Sequence, residues 1–334
     1  MRSVPAPLDV RIRSVLFQIL RQCNYRCSHC SQDAPHIGRQ TTAPVPQEMV
    51  RACLQEMKHL GLQRVRFTGG EPLLHPELPR IVFVAKTLGL DTSIVTNGAL
   101  LCNRTEALVE AGIDFVWISL YGSSAAAYAA IAGRKPPAES LSEAVRVLAL
   151  NTIKVGVYCT LQPGADKLGL SLLDKLVDQG ATHIKFMQLM EQGRQIGADG
   201  HDPIEINKSI LEQIRAYGER RPEVRISVSM RSGQLPTFIE SGFRPQAELG
   251  CTAGSPDRWS ISSDGEIQPC CLMMPLGRME TSAADGAALP LRFFSSSTRG
   301  PWQDPSGTDM CPALPLHAPK FPEQFICPLA YATI

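Results

Sequence analysis

Three cysteines near the N-terminus, in Cys23-Asn24-Tyr25-Arg26-Cys27-Ser28-His29-Cys30, stand at a C-x3-C-x2-C spacing. Thiols gathered on so short a loop point to metal, which binds cysteine as the thiolate and enforces the deprotonation. Iron-sulfur clusters are usually closed by four cysteines. Here the next cysteine is Cys53, so the triad can hold three irons of a cubane and leave the fourth without a protein ligand. An iron with an open position is a place for chemistry. The alternative is half of a zinc site with a distant fourth ligand such as His29 or His36, since zinc accepts Cys3His tetrahedra. Zinc knuckles, however, favour paired C-x2-C units.

Three further segments carry unusual polar or glycine-rich sequence: Gly69-Gly70-Glu71-Pro72, Thr96-Asn97-Gly98 and Ser119-Leu120-Tyr121-Gly122. Each alone is an ordinary turn signal. In this order, after the cysteine triad, they resemble the signature of the radical SAM superfamily. The resemblance implies that S-adenosylmethionine fills the open iron through its amino and carboxylate groups. It also implies that the reduced cluster cleaves it to a 5′-deoxyadenosyl radical, which takes hydrogen from a substrate. His29 departs from the Tyr, Phe or Trp that many members place before the third cysteine.

Carried over residue by residue, the resemblance makes Cys23, Cys27 and Cys30 the cluster ligands. Gly69, Gly70, Glu71 and Pro72 become the turn facing the methionyl ammonium, its glycines admitting a ligand close to the backbone. Glu71 is expected to order that turn by hydrogen bonding. Thr96, Asn97 and Ser119 match the positions that contact the ribose or carboxylate. Arg134 is a candidate partner for the carboxylate, because a guanidinium matches it bidentately. Met187, within the segment 186–189, lies where relatives pack the adenine.

The elements that must position these residues alternate between strand-like and helix-like patterns from about residue 14 to 230. Expected strands cover 14–20, 64–68, 91–96, 115–120, 155–161 and 183–189, with a short seventh at 224–230. Expected helices cover 46–60, 76–88, 105–111, 140–150, 168–179 and 206–220. In parallel barrels, active sites gather at the C-terminal ends of the strands. The four motifs fall at such ends, so the expected class is α/β, a partial (β/α)6 barrel over residues 1–234.

From residue 235 the alternation stops, and Pro, Gly and Ser become frequent. A β-hairpin is expected at 259–268 around Asp264-Gly265. Cys251 and Cys270 bracket it in a C-x13-G-x4-C spacing. This resembles the opening of the SPASM and twitch extensions of radical SAM maturases. The resemblance implies an auxiliary 4Fe-4S cluster on Cys251, Cys270, Cys311 and Cys327, in a small irregular extension over 235–334. A structural zinc is the alternative for this site. Cys271, next to Cys270, is either a buried hydrophobe or a thiol aimed at substrate, the candidate hydrogen-atom donor. Cys53, Cys102 and Cys159 fall within ordinary patterns and are read as structural.

Composition narrows the class further. The 334 residues can bury a large core, and 33 Lys+Arg against 32 Asp+Glu leave a net charge of +1. No basic tract suggests a nucleic-acid footprint. No apolar run is long enough for a membrane span. Eleven cysteines without a secretory pattern suit metal-bound thiolates in a reducing cytoplasm. The expected partners are a small-molecule substrate and a reducing protein such as flavodoxin or ferredoxin. Peptide-recognition domains of related maturases usually precede the first cysteines, and 22 residues do so here. A sugar- or nucleoside-like intermediate is therefore expected ahead of a ribosomal peptide, with dehydrogenation or epimerisation as the outcome. A cluster-carrying electron-transfer protein without catalysis is the reading of another class, and it has no need for motifs at four strand ends.

Overall fold

Strand and helix follow one another as β1 (Ser14–Gln18), α1 (Gln47–His59), β2 (Arg64–Thr68), α2 (Leu78–Thr87), β3 (Asp91–Thr96), α3 (Leu101–Glu110) and β4 (Phe115–Tyr121). They continue through α4 (Ala125–Ala132), α5 (Ala138–Leu150), β5 (Lys154–Thr160), α6 (Ser171–Asp178), β6 (His183–Met187), α7 (Lys208–Arg220) and β7 (Arg225–Ser229). The structure is a computed structural model that describes residues 12–36, 43–121, 125–161, 168, 170–188, 207–229, 234–245, 259–268, 277–279, 292–293 and 331–333. The strands β1 to β7 are hydrogen-bonded neighbours in chain order, every pair parallel. This is the expected α/β class with the partial-barrel order, and the sheet is not closed. No helix among the described residues is long and apolar enough to cross a membrane.

Period-two alternation decides what each face of the sheet does. Val15, Phe17, Val65, Phe67, Ile94, Val116 and Ile118 are buried in one core cluster with Leu54 and Met57 of α1 and Val82 of α2. The intervening residues Leu16, Arg66, Ser93, Trp117 and Tyr158 are half-buried and line the opposite, concave face. The helices therefore cover one side of the sheet and leave the other for chemistry.

Between β1 and β7, two helices differ from the sequence reading. α4 went unseen because AAAYAAIA offers no apolar-polar contrast from which a helical period could be read; its buried Tyr128 and Ile131 dock it. α3 begins at Leu101 instead of 105, and the Thr105 hydroxyl donates back to the Leu101 carbonyl at 2.7 Å from inside the helix.

Beyond residue 234 the chain adds α8 (Leu235–Glu240), β8 (Arg244–Pro245), β9 (Trp259–Ile261), β10 (Glu266–Gln268), β11 (Gly277–Arg278), β12 (Arg292–Phe293) and β13 (Tyr331–Thr333). β9 and β10 form the hairpin around Asp264-Gly265, with Gly265 at φ +82°. β9 then pairs in parallel with β1, Leu16 opposite Ser260. β13 pairs antiparallel with β7. Late segments thus extend both edges of the same sheet.

Asp114, in the turn between α3 and β4, ties α2 to β3. It accepts from the Thr92 N–H at 2.7 Å and hydroxyl at 3.0 Å, and pairs with Lys86 at 2.7 Å. Burial works to raise its carboxyl, but the bonds from Lys86 and Thr92 outweigh it and hold the group below the usual aspartate range. A depressed carboxyl stabilises the fold above its unfolded value and loses that contribution as pH falls through the folded value. Asp114→Asn is therefore expected to cost about 1 kcal/mol at neutral pH, discounted for a half-exposed pair. The gap to wild type in urea melts should close below about pH 4; a gap unchanged at acid pH would count against the charge.

Candidate functional site

At the end of β2 the chain turns through Gly69-Gly70-Glu71 into a single 3-10 turn, Pro72–Leu74. The Gly70 N–H donates to the Leu20 carbonyl at 3.0 Å, and the Glu71 N–H to the Gln22 carbonyl at 2.9 Å. A Cβ on Gly69 would lie 2.5 Å from the Leu20 oxygen, and one on Gly70 only 2.1 Å from the Gln22 oxygen. Both distances are shorter than real carbon-oxygen contacts. The glycines therefore clear a path for the chain leaving β1, directly before the first cysteine. The sequence reading gave them to a ligand's approach; the described residues show a second reason for them, the close approach of the protein's own backbone.

Glu71 is fully buried and caps the same turn. Its carboxylate accepts from the Leu73 N–H at 3.1 Å, the Thr96 hydroxyl at 2.6 Å and the Asn97 N–H at 2.7 Å. Burial pushes the carboxyl up to about 7 in spite of these three donors. From Asn97 the relay continues: its side-chain N–H2 donates to the Asn24 side-chain oxygen at 2.8 Å and approaches Cys23 Sγ at 3.8 Å. The Thr96 hydroxyl also accepts from the Gly98 N–H at 3.0 Å, and the Asn97 side-chain oxygen from the Ala99 N–H at 3.0 Å. Thr96 and Asn97 thus bind the end of β3 to the glycine turn and to the cysteine loop.

Within that loop Cys23 and Cys27 are buried and Cys30 half-buried. The Tyr25 N–H points at Cys23 Sγ at 3.3 Å and the Ala34 N–H at Cys30 Sγ at 3.4 Å. Burial pushes the Cys23 thiol up to about 11, so a metal has to displace its proton on binding. Among the described residues no three His, Cys, Asp or Glu side chains form a group that could hold a metal ion. A cubane places each thiolate on a different iron, and N–H donors to sulfur are the contacts that tune such clusters. The donor set fits that group.

Aromatic side chains brace the loop from the other side. Tyr25 packs against Tyr121 of β4 at 6.4 Å and edge-on against Tyr128 of α4 at 6.5 Å. His29 meets Tyr121 edge-on at 5.1 Å. The Ser28 N–H donates to the Ile131 carbonyl at 3.0 Å, and the exposed Arg134 guanidinium lies 5.5 Å over the Tyr25 ring. His36 stands opposite Cys23 in an isolated bridge. α4, a helix the sequence reading did not assign, therefore helps shape the cysteine site.

The structure brings Gly69, Gly70, Glu71, Thr96, Asn97 and Arg134 together around Cys23, Cys27 and Cys30. Pro72 is buried beside Glu71 in the 3-10 turn. Ser119 and Met187 stand half-buried on the concave face near the ends of β4 and β6. Cys53 and Cys159 are buried and Cys102 is exposed. Cys251, Cys270, Cys271, Cys311 and Cys327 lie outside the described residues. Sequence reasoning missed Asn24, Tyr25 and Tyr128. A carboxamide and an aromatic between two ligand cysteines were the signal for the first two.

A profile of the Radical SAM superfamily matches residues 17–167. GTP 3′,8-cyclase of Chlorobaculum tepidum is 32% identical over 197 residues, 55% of this chain and 58% of that protein. PqqA peptide cyclase of Streptomyces rochei is 32% identical over 181 residues, 54% of this chain and 49% of that protein. The chain thus spans about half the length of these curated relatives. Among solved structures, Streptococcus suis SuiB bound to S-adenosylmethionine superposes with a TM-score of 0.64 at 14% identity, covering 84% of this chain and 63% of SuiB. Native anSMEcpe with bound AdoMet gives 0.57 at 15% identity, covering 79% of this chain and 77% of that one. At such identities these structures speak to the fold.

Proposed function

We propose that this chain, whose residues 17–167 match the Radical SAM superfamily, holds a 4Fe-4S cluster on Cys23, Cys27 and Cys30 with S-adenosylmethionine on its open iron, for hydrogen abstraction from a small polar substrate. When bound, these groups supply a 5′-deoxyadenosyl radical; the protein's part is placement and exclusion of water. The observation that carries the reading is the buried relay from Glu71 through Asn97 to Asn24 and Cys23. It locks the cysteine loop to two strand ends at the mouth of the concave face. Thr96, Asn97, Ser119, Arg134 and Met187 are proposed as cofactor contacts.

Relatives named GTP 3′,8-cyclase support a nucleoside-like substrate. A peptide is the second reading, supported by the PqqA peptide cyclase relative and by SuiB solved with its precursor peptide SuiA. The tail cysteines Cys251, Cys270, Cys311 and Cys327 are proposed to hold an auxiliary cluster that accepts the substrate's electron, with a flavodoxin- or ferredoxin-like protein as reductant.

Anaerobically reconstituted chain given S-adenosylmethionine and dithionite should release 5′-deoxyadenosine. No release, with or without a cell extract as substrate source, would overturn the assignment in favour of a non-catalytic cluster protein. Cys271→Ala separates the two outcomes. Dehydrogenation expects turnover to survive; loss of product while 5′-deoxyadenosine still forms would assign Cys271 as the hydrogen-atom donor of an epimerase.

A further inference from the structure

Three groups face the sulfur of Cys23. The Tyr25 N–H points at it from 3.3 Å, the Asn97 side-chain nitrogen stands at 3.8 Å and the Asn24 side-chain oxygen at 3.9 Å. Toward that oxygen the protonated thiol is the donor. Once a metal takes the place of the proton, the sulfur can only accept. Two acceptors then confront each other at 3.9 Å inside the protein, where an unmet acceptor is costly.

Asn97 resolves the conflict. Its side-chain nitrogen carries two hydrogens and lies 2.8 Å from the Asn24 oxygen as well as 3.8 Å from the sulfur. One hydrogen for each acceptor satisfies both. The orientation of the carboxamide is fixed from behind, because its oxygen accepts from the Ala99 N–H at 3.0 Å. Turned the other way, it would set oxygen against the Asn24 oxygen and its own N–H2 against the Ala99 N–H. Asn24 and Asn97 are 8% and 4% exposed, which leaves little room for water to replace these contacts.

The two donors to the sulfur differ in origin. Tyr25 gives a main-chain N–H that any residue but proline would supply. The Asn97 donor belongs to a side chain 74 residues further along, at the end of β3.

We propose that Asn97, held in orientation by Asn24 and Ala99, donates to the Cys23 thiolate and thereby raises the reduction potential of the cluster that this thiolate binds. The physical reason is charge. One electron passing from the reductant makes the cluster and its sulfurs more negative, and the positive end of an N–H dipole aimed at sulfur favours that state. The inference rests on the cluster proposed above and assigns one side chain a share in how readily it is reduced.

Redox titration of the anaerobically reconstituted full chain tests it, followed by the electron paramagnetic resonance signal that is lost in Cys27→Ala. Asn97→Leu keeps a similar volume and loses the donor. Its reduction equilibrium should fall at least about threefold, roughly 28 mV at about 59 mV per tenfold. Asn24→Asp keeps an acceptor for Asn97 and, at about pH 8, brings a negative charge beside the sulfur; the same equilibrium should fall at least about tenfold. A merely structural role has the opposite signature. A loosened loop loads less iron and admits water, which favours the more negative state, so the cluster that does load keeps its potential or gains. An unchanged or raised potential in either variant, or no such signal in wild type, would overturn the proposal. Should neither variant hold a cluster, wild type carrying nitrogen-15 in the asparagine side-chain amides alone decides: the reduced cluster should show coupling to that nitrogen, and its absence overturns the donor. If the potentials shift as expected but the signal ignores added S-adenosylmethionine, the cofactor reading fails and the donor stands. If the signal responds and both variants titrate like wild type, the donor alone fails.

Discussion

Gly70→Ala is expected to dislodge the cysteine loop and to destabilise the fold together. The added methyl would meet the Gln22 carbonyl at 2.1 Å and the Arg21 carbonyl at 2.4 Å. Backbone cannot step aside as a flexible side chain does, so the turn and the chain leaving β1 must separate. That separation breaks the bonds from Gly70 to Leu20 and from Glu71 to Gln22. The cost is expected to be about 3 kcal/mol, the upper end for overpacking a close contact. The variant should therefore melt earlier and reconstitute with less iron, and its 5′-deoxyadenosine formation should fall to background. A variant that melts earlier yet cleaves S-adenosylmethionine like wild type would show that the turn supports the fold and not the loop.

Cys27→Ala is expected to abolish the chemistry and spare the scaffold. The loop is held by contacts that do not involve this thiol: Cys23 N–H to the Pro35 carbonyl at 3.0 Å, Ser28 N–H to the Ile131 carbonyl at 3.0 Å, and the Asn97–Asn24 bond at 2.8 Å. Loss of one buried sulfur costs about 1 kcal/mol in packing. A cluster left with two protein ligands has two open irons and is expected to be lost or bypassed. Iron should fall from roughly eight to roughly four per chain if the tail holds its own cluster. 5′-Deoxyadenosine should drop to background while the apparent Tm stays close to wild type. Retained S-adenosylmethionine cleavage in this variant would remove Cys27 from the ligand set.

The pair of variants separates two things that one motif combines. Gly70 carries no reacting atom, and its whole effect passes through space; Cys27 carries a reactive atom and little structure. Glu71 stands between them. Its three accepted bonds fix the turn, and its position next to Asn97 transmits that order to Asn24 and Cys23.

Much of this was legible in the residue order. The alternation of Val65 and Phe67 with Arg64, Arg66 and Thr68 marks a strand with one buried face, and the helices between such strands impose a parallel sheet. The cysteine triad and the glycine turn read as chemistry because their meaning is local: three thiols on one loop, two residues without Cβ. α4 was not legible, since eight residues with six alanines carry no period. Its role as a brace for the loop rests on Tyr128 and Ile131, whose burial depends on partners about a hundred residues away in the chain.

By itself the sequence determined the class of fold, the ligand cysteines to test and the strand ends where they must stand, because periodicity and spacing are properties of neighbours. Only the tertiary structure decided what fills the space beside Gly69, Gly70 and Gly156: the Leu20–Gln22 backbone in the first two cases and the Trp117 ring in the third. It also decided that Trp259 lies beside Val15 at the sheet edge. A missing Cβ announces a close approach, but what approaches is set by packing between segments far apart in the chain, and pattern along the chain does not carry that.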